Sequence, residues 1–128
     1  MSEVRQILIV DDEESIRLLL SRILESIPAL EVTLADGCEA ALQLTAEHAY
    51  NLILLDLLMP GVGGIEVLSR IRDSSLNKTT PVVIVSVMSD QATKIVCKSL
   101  GASDYLVKPI DRNAVVAVVE AHLGADCG

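Results

Sequence analysis

The chain alternates between short uninterrupted apolar runs and longer stretches in which apolar residues recur every three or four positions. Uninterrupted runs indicate strands that are buried on both faces, as in a parallel sheet covered by helices. The wider spacing is typical of amphipathic helices. The predicted strands are residues 6–10, 32–34, 52–55, 82–85 and 105–107.

Five helical segments follow these strands in turn. Leu19 in the first segment and Ile65 in the third are among the apolar residues expected to face inward. Gly101 is expected to cap the end of the fourth helix, and Asp111 the start of the fifth. The predicted helices are approximately residues 13–28, 37–47, 65–72, 90–99 and 111–123.

Five strand–helix units in succession predict an α/β fold. We expect a (βα)5 three-layer sandwich around a parallel five-stranded sheet of order 2-1-3-4-5, which is a flavodoxin-like arrangement. The 128 residues fit one domain, residues 1–128, with a core at about residues 5–123.

Composition narrows the class of protein. Aromatic residues make up only 2% of the chain, so the core must be built from aliphatic side chains. A net charge of −8 argues against direct nucleic-acid binding by this domain. No apolar stretch approaches the roughly 20 residues that span a membrane. The odd set of Cys38, Cys97 and Cys127 lacks metal-binding spacing, and with no signal-peptide pattern at the start it favours reduced thiols in the cytoplasm.

Polar side chains stand at the C-terminal ends of four predicted strands. They are Asp11 and Asp12, Asp56, Ser86 and Lys108. Each alone has a simple structural explanation, such as a helix cap, a turn residue, a strand-end hydroxyl or a solvated charge. Because the C-terminal ends of parallel strands share one edge of the sheet, we expect all five to lie together.

The chemistry of such a cluster points to a metal and a phosphate. Three neighbouring carboxylates repel one another unless a cation joins them. Mg²⁺ fits best, because it binds one or two carboxylates and keeps sites for water and phosphate oxygens. The amine and the hydroxyl would then bind the phosphate, which is the arrangement used in phosphoryl transfer.

Four segments carry a family resemblance, which extends over essentially the whole chain. Residues 9–13 (IVDDE), 55–61 (LDLLMPG), 85–86 (VS) and 105–109 (YLVKP) resemble the receiver domain of two-component response regulators, the CheY-like family. The resemblance implies that Asp56 accepts a phosphoryl group from the phosphohistidine of a sensor histidine kinase or phosphotransfer protein.

The same resemblance assigns the metal ligands. Asp12, Asp56 and the main-chain carbonyl of Leu58 would bind Mg²⁺ directly, and Asp11 would act mainly through a metal-bound water.

It also assigns the groups that respond to phosphate. Lys108 would pair with the phosphoryl group, and Ser86 would hydrogen-bond to it. Tyr105 would be the switch residue that turns inward when Ser86 moves. A cis peptide bond is expected before Pro109.

Near the site, the sequence departs from the family pattern at Gly63, at Val87 and at Ile110. Gly63 stands where an acid or amide usually caps the third helix. Leu58 and Met88 occupy the two positions that tune hydrolysis of the phosphoryl group, and neither can orient an attacking water. We therefore expect a comparatively long-lived phosphoryl group.

The last helix carries a wide apolar band, from Ala114 to Leu123. One interpretation is that small aliphatic side chains are simply tolerated at the surface. The other is a partner or homodimer surface formed by the fourth helix, fifth strand and fifth helix.

Two other classes of function remain open. A small Mg²⁺-dependent phosphohydrolase would usually carry a second acid two residues after its nucleophile, where this chain has Leu58. A receiver-like interaction module would work without phosphorylation, although Asp56, Lys108 and Ser86 are all present. In the leading interpretation the domain catalyses its own phosphorylation and dephosphorylation and turns over no external substrate.

Overall fold

The structure, a computed structural model, describes residues 4–123. Cys127, one of the three expected reduced thiols, lies outside the described residues. Strands and helices alternate along the chain in five units. Their bounds are β1 Arg5–Val10, α1 Glu14–Leu24, β2 Leu30–Ala35, α2 Cys38–Glu47, β3 Leu52–Leu55, α3 Gly64–Asp73, β4 Val82–Ser86, α4 Gln91–Ser99, β5 Asp104–Val107 and α5 Arg112–Leu123.

The five strands form one parallel sheet of order β2-β1-β3-β4-β5, as predicted. Burial of both strand faces is confirmed for β3 and β4 and for the last four residues of β1. It is wrong for the two edge strands, where Leu34 of β2 is 41% exposed and Val107 of β5 is 38% exposed. An edge strand has a neighbour on one side only, so the flanking helices cover it less completely.

Two aliphatic clusters cover the two faces of the sheet and create the three layers. Alternate residues of each central strand point to opposite faces, because side chains alternate along a strand. Full burial of one such side chain contributes about 1.5–3 kcal/mol, so these layers supply much of the stability. One face packs against α1 and α5 through Ile7, Ile9, Leu52, Leu54, Val83, Val85, Leu20, Ile23, Leu24, Val115 and Val119. The other face packs against α2, α3 and α4 through Leu8, Val10, Ile53, Leu55, Val82, Ile84, Ala41, Val67, Leu68, Ile71 and Cys97.

Two helical side chains expected to face inward are exposed instead. Leu19 of α1 is 41% exposed and Ile65 of α3 is 38% exposed. In each helix the core-facing stripe is filled by other residues, which are Leu20, Ile23 and Leu24 in α1 and Val67, Leu68 and Ile71 in α3.

The end of α1 also differs from the prediction. The helix ends at Leu24, before Pro28, and turns fill the intervening residues. Ser26 contributes to this early end, because its hydroxyl donates to the carbonyl of Ile23 at 2.8 Å. In addition, the helical conformation is unfavourable for Ile27, because a proline, Pro28, follows it.

The predicted caps of α4 and α5 are confirmed. Gly101 has a φ of +100°. Its N–H donates to Lys98 at 3.0 Å, and that of Ala102 donates to Cys97 at 2.9 Å. These two bonds make a Schellman motif, which satisfies the last carbonyls of a helix. At the start of α5, Asp111 accepts the Ala114 N–H at 3.0 Å.

A buried asparagine ties together the loops at the N-terminal edge of the sheet. Asn77 is completely buried. Its carbonyl oxygen accepts from the Tyr50 N–H at 2.9 Å and from the Thr80 hydroxyl at 3.0 Å. Its amide nitrogen donates to the carbonyls of Thr45 and His48, each at 2.8 Å. Every hydrogen-bonding group of this side chain is therefore used within the fold.

Arg72 extends this network to the end of α4. Its guanidinium donates to the carbonyls of Gly101 at 2.7 Å, Thr80 at 2.7 Å and Asn77 at 3.2 Å. Burial lowers the pKa of Arg72. The side chain fixes the end of α4 to the α3–β4 loop, on the opposite edge of the sheet from the acidic cluster.

Candidate functional site

The backbone of the sheet places the strand-end residues side by side. Beyond β1, the Asp11 N–H donates to the carbonyl of Ala35 at 3.2 Å, and beyond β3 the Asp56 N–H donates to Val10 at 3.0 Å. The Lys108 N–H donates to the carbonyl of Ser86 at 2.8 Å. Hydrogen bonds of the sheet thus continue one residue past three strands and hold the polar residues at its C-terminal edge.

The three aspartates form the predicted acidic cluster. Asp11 is 1% exposed and Asp56 is 3% exposed, whereas Asp12 is open to solvent. One carboxylate oxygen from each lies within 4.8 Å of the others. Burial raises the pKa of Asp56, and the neighbouring charge of Asp11 raises it further. A cation would therefore relieve an unfavourable charge that the fold itself creates.

Lys108 lies against the two buried carboxylates. Its Nζ is 2.8 Å from Asp11 Oδ2 and 3.7 Å from Asp56 Oδ2. Burial alone would lower the pKa of Lys108, but the hydrogen bond to Asp11 and the charges of both aspartates outweigh it, so the pKa is raised. The amine is therefore charged at neutral pH. The Lys108–Pro109 peptide bond is cis, as expected.

The β1–α1 loop carries a buried aspartate, Asp11, and an exposed one, Asp12, and their carboxylates make different contacts. Asp11 Oδ1 accepts the Glu13 N–H at 2.9 Å while its Oδ2 accepts from Lys108, so both oxygens are occupied. Among residues 4–123, no protein group hydrogen-bonds to the side chain of Asp12. Asp12 is thus the carboxylate most available to a metal, and its exposure leaves room for water ligands. An oxygen cluster of this kind fits Mg²⁺.

Leu58 presents main-chain groups to the site and its side chain to solvent. Its N–H donates to Asp56 Oδ1 at 3.3 Å, while the side chain is 53% exposed. No group in the described part of the chain hydrogen-bonds to the Leu58 carbonyl. That oxygen is therefore not committed elsewhere in the fold.

Ser86 and Tyr105 are in contact beside the β4–α4 loop. Ser86 is fully buried, and its Oγ accepts the Met88 N–H at 3.2 Å. Burial raises the pKa of Tyr105, while a hydrogen bond from Ser86 acts in the opposite direction. The Tyr105 hydroxyl donates to the carbonyl of Met88 at 2.6 Å. The ring is half-buried, and its hydroxyl reaches the β4–α4 loop.

Helix α4 contacts the outer face of the same ring. Lys94 lies 5.6 Å above the centre of the Tyr105 ring, within the range of a cation–π interaction. The start of α4 is fixed by Asp90, which accepts the Thr93 N–H at 3.0 Å. The ring therefore touches both the loop that follows Ser86 and the first turns of α4.

Gly64 is a residue of this site that the sequence analysis missed. A Cβ atom at Gly64 would lie 2.3 Å from the carbonyl oxygen of Asp56 and 2.5 Å from the Cα of Leu57. The Gly64 N–H donates to Leu57 at 3.0 Å. Only glycine lets α3 approach the backbone of Asp56 this closely. The signal in the sequence was the pair of glycines at the start of α3.

The start of α3 also bears out the expected departure at Gly63. This residue has a φ of +85° and provides no side-chain cap. The absence of the usual acid or amide therefore removes one hydrogen bond from the first turn of α3 and leaves the acidic cluster intact.

The surface formed by α4, β5 and α5 is apolar mainly through α4. Ile95 is 60% exposed and Val96 is 43% exposed. On α5 the valines are buried or half-buried, and the exposed apolar residues among those described are Ala117 and Ala121. The wide apolar band of α5 therefore consists largely of core contacts and small side chains.

No helix within residues 4–123 is long and apolar enough to span a membrane.

Similarity to known proteins agrees with this geometry. The transcriptional regulatory protein SrrA of Staphylococcus aureus (strain NCTC 8325 / PS 47) is 37% identical over 118 residues, which cover 92% of this chain and 47% of that protein. The chain thus spans about half the length of the curated relatives it matches.

Solved structures give the same fold. The chemotaxis protein CheY4 of Vibrio cholerae superposes with a TM-score of 0.87 at 28% identity, covering 94% of this chain and 99% of that one. The receiver domain of the sensor histidine kinase PA1611 from Pseudomonas aeruginosa PAO1 superposes with a TM-score of 0.85 at 24% identity, covering 94% and 98%. The structure of that domain has a magnesium ion in its active-site cleft.

The family model described as the response regulator receiver domain matches residues 7–120. The chain therefore belongs to the receiver-domain family of two-component response regulators.

Proposed function

We propose that Asp56 accepts a phosphoryl group from the phosphohistidine of a sensor histidine kinase or phosphotransfer protein. The observation that carries the proposal is a buried carboxylate at 3.7 Å from a buried lysine amine, beside two further aspartates.

The described core at residues 5–123 acts as a single receiver domain. Its setting is the cytoplasm, where the free thiols of Cys38 and Cys97 would stay reduced.

The transfer is a displacement at phosphorus. An Asp56 carboxylate oxygen forms the new O–P bond as the P–N bond to the donor histidine breaks, and the imidazole leaves with the bonding electron pair. The Leu58 N–H holds Asp56 Oδ1 at 3.3 Å, so the carboxylate is already oriented. A reaction with a loose transition state needs little more than positioning and charge neutralisation.

The residues proposed to hold Mg²⁺ are Asp12, Asp56 and the carbonyl of Leu58, with Asp11 acting through a bound water. Both oxygens of Asp11 are already hydrogen-bonded, which supports its indirect role. When bound, the ion supplies positive charge that offsets the repulsion between the aspartates and the incoming phosphoryl oxygens.

Lys108 and Ser86 are proposed to receive the phosphoryl oxygens. The raised pKa of Lys108 keeps its amine charged, and it lies close enough to move from Asp11 toward a group on Asp56. The Ser86 hydroxyl would turn from Tyr105 to a phosphoryl oxygen. A phosphoryl group adds about −1.5 to −2 charges and strong acceptors, which is enough to redirect both donors.

The change at Ser86 is proposed to reach the surface through Tyr105. This ring contacts the β4–α4 loop through Met88 and contacts α4 through Lys94. Loss of the hydrogen bond from Ser86 would remove one of the contacts that hold the Tyr105 ring. Because the ring also contacts Lys94, α4 would shift with it. The α4–β5–α5 face would then control an output, either by binding a partner or by forming a homodimer, with Ile95 and Val96 contributing most of the exposed apolar surface.

The phosphoryl group is proposed to be long-lived. Leu58 is exposed and Met88 is half-buried beside the site, and neither side chain can hydrogen-bond to an attacking water. Leu58 also argues against a phosphohydrolase, since it stands where a general acid would be needed. The domain would therefore catalyse its own modification and its slow reversal without turning over other substrates.

The proposal is tested by incubating the protein with acetyl phosphate and measuring its intact mass. We expect one phosphoryl adduct that depends on Mg²⁺ and is absent in Asp56→Asn. Asp73→Asn is the matched control, because this aspartate is exposed at the end of α3, outside the acidic cluster. It should be modified like the wild type.

Other outcomes select the alternatives. A folded protein with no adduct under any of these conditions would contradict the proposal and favour an interaction module that works without phosphorylation. Continuous release of phosphate from small phosphoesters, with more than one phosphate released per protein molecule, would favour a phosphohydrolase.

A further inference from the structure

Asp12 is placed by its backbone, since its side chain has no hydrogen-bonding partner in residues 4–123. It lies two residues beyond the end of β1, and it is exposed. The two peptide groups that flank Asp12 set the direction of its Cα–Cβ bond, and its rotamers then set the few positions that the carboxylate can take. Whatever fixes those peptides therefore decides which region the carboxylate of Asp12 can reach.

The peptide group after Asp12 is fixed from within the loop. The Glu13 N–H belongs to this peptide and donates to Asp11 Oδ1 at 2.9 Å. Glu13 is also the N-cap of α1, but its side chain makes no capping bond. The hydrogen bond to Asp11 is therefore the contact that orients this side of Asp12.

The peptide group before Asp12 is fixed by an arginine. Arg17 Nη1 donates to the main-chain carbonyl of Asp11 at 2.8 Å. This carbonyl lies beyond the last residue of β1 that pairs with β2 or β3. The half-buried guanidinium of Arg17 thus takes the place of the strand N–H that would otherwise orient it.

We propose that Arg17 is a positioning residue for the metal site, acting through the Asp11 carbonyl to aim the carboxylate of Asp12. This inference rests on the proposed Mg²⁺ site and assigns a role to a residue that touches neither the metal nor the phosphoryl group. Residues that hydrogen-bond directly to metal ligands typically contribute about 10- to 100-fold in metal affinity, and Arg17, which acts through one peptide group, is expected at the lower end of that range.

The sign of the effect separates positioning from simple electrostatics. Removing the positive charge of Arg17 leaves the site more negative, and charge alone would tighten Mg²⁺ binding. Loss of positioning would weaken it. The two explanations therefore predict opposite changes for the same substitution.

The test compares Arg17→Met with Arg22→Met, using Mg²⁺ titration by calorimetry at fixed ionic strength. Arg22 lies on the same helix, is exposed and carries the same charge, so it is the matched control. We expect Arg17→Met to weaken Mg²⁺ binding about tenfold or more, and Arg22→Met to stay within about twofold of the wild type. Arg17→Lys retains a donor and should recover part of the lost affinity. Mg²⁺ binding by Arg17→Met that is unchanged or tighter would overturn the inference.

A second measurement uses the wild-type protein and does not depend on the variants folding. In ¹⁵N spectra the Arg17 guanidinium signal should shift when Mg²⁺ is added, and that of Arg22 should not. An unmoved Arg17 signal in a protein that binds Mg²⁺ would overturn the role of Arg17 alone. A wild-type protein that does not bind millimolar Mg²⁺ would instead overturn the proposed metal site, and the inference with it.

Discussion

The two edges of the sheet carry buried polar groups of opposite kinds. At the N-terminal edge, Asn77 is completely buried and each of its donors and acceptors has a partner. At the C-terminal edge, Asp11 and Asp56 are equally well buried, but they are like charges that share one amine, Lys108. The first edge is complete within the fold, whereas the second keeps an excess of negative charge that an added cation would balance.

The difference teaches how a buried polar group can be assigned to stability or to function. A buried polar group whose bonds are all made within the chain stabilises the fold and has nothing left to offer a ligand. A buried group whose charge is only partly balanced costs free energy in the absence of its ligand. The predictions that follow test this division, beginning with the largest expected effect.

Asn77→Ala should be the most destabilising of these substitutions. It removes four hydrogen bonds and leaves the buried Tyr50 N–H without its partner. We expect the free energy of unfolding to fall by about 4 kcal/mol in urea denaturation. Asn51→Ala is the control, because Asn51 accepts one exposed bond from Gln6, and it should cost no more than about 1 kcal/mol. Equal effects of the two substitutions would contradict the comparison.

The acidic cluster could be predicted from the sequence, but the Asn77 network could not. Asp11, Asp56, Ser86 and Lys108 each end an apolar run, and the ends of parallel strands converge on one edge whatever the loops do. Asn77 lies in a polar loop, and its partners are main-chain groups of other loops. Main-chain donors and acceptors are present at every position, so no pattern of residue types marks them.

The same reason explains which details of the fold were missed. The strand order and the central strands followed from hydrophobic runs, while the exposure of Leu34 and Val107 depended on how far the helices reach over the sheet edges. Arg17 and Gly64 act on the main chain of Asp11 and Asp56, and such contacts appear only when the chain has folded. The position of the Tyr105 hydroxyl likewise depends on a loop carbonyl, that of Met88.

Gly64→Ala should damage the C-terminal edge specifically. The added methyl group would lie 2.3 Å from the Asp56 carbonyl oxygen, so either α3 or Asp56 must shift. We expect a loss of about 2 kcal/mol in the free energy of unfolding, together with weaker Mg²⁺ binding. Gly37→Ala provides the control, because a methyl group there meets nothing within 4 Å and the backbone is extended. A Gly64→Ala protein with wild-type stability and Mg²⁺ affinity would show that the close approach does not matter.

Leu58→Asn combined with Met88→Glu should shorten the life of the phosphoryl group. Polar side chains at these positions can orient the attacking water that the apolar ones cannot. We expect dephosphorylation to accelerate about tenfold, which corresponds to roughly 1.4 kcal/mol in the activation barrier. The rate is measured by following loss of the adduct in intact-mass spectra after removal of the phosphodonor. Leu76→Asn, at an exposed leucine in the α3–β4 loop, should leave the rate unchanged. An unchanged rate in the double variant would refute the expected stability of the phosphoryl group.

Asp56→Asn should stabilise the protein slightly when no Mg²⁺ is present. The pKa of Asp56 is raised in the folded protein, first by burial and then by Asp11, so its ionised form is unfavourable there. At pH 7 the neutral amide removes this penalty, and we expect a gain of about 1 kcal/mol in the free energy of unfolding. The gain should shrink as the pH falls through the folded-state pKa of Asp56, because the wild-type carboxyl then becomes neutral as well.

Millimolar Mg²⁺ should reverse this order, since the ion stabilises the wild type and binds the variant less well. Asp73→Asn, at an exposed position, should show neither effect. An Asp56→Asn protein that is less stable than the wild type without Mg²⁺ would mean that Lys108 already compensates the charge of Asp56 in full.

The central claim is that the incomplete edge of the sheet exists to hold a phosphoryl group on Asp56. The most direct measurement is to phosphorylate the protein with acetyl phosphate and Mg²⁺, reduce the acyl phosphate with borohydride, and locate the modified residue by peptide mass spectrometry. We predict that the reduced residue is Asp56 and that Asp11, Asp12 and the other acids are unmodified. Reduction at a different aspartate, or at none in a folded and Mg²⁺-saturated protein, would contradict the account.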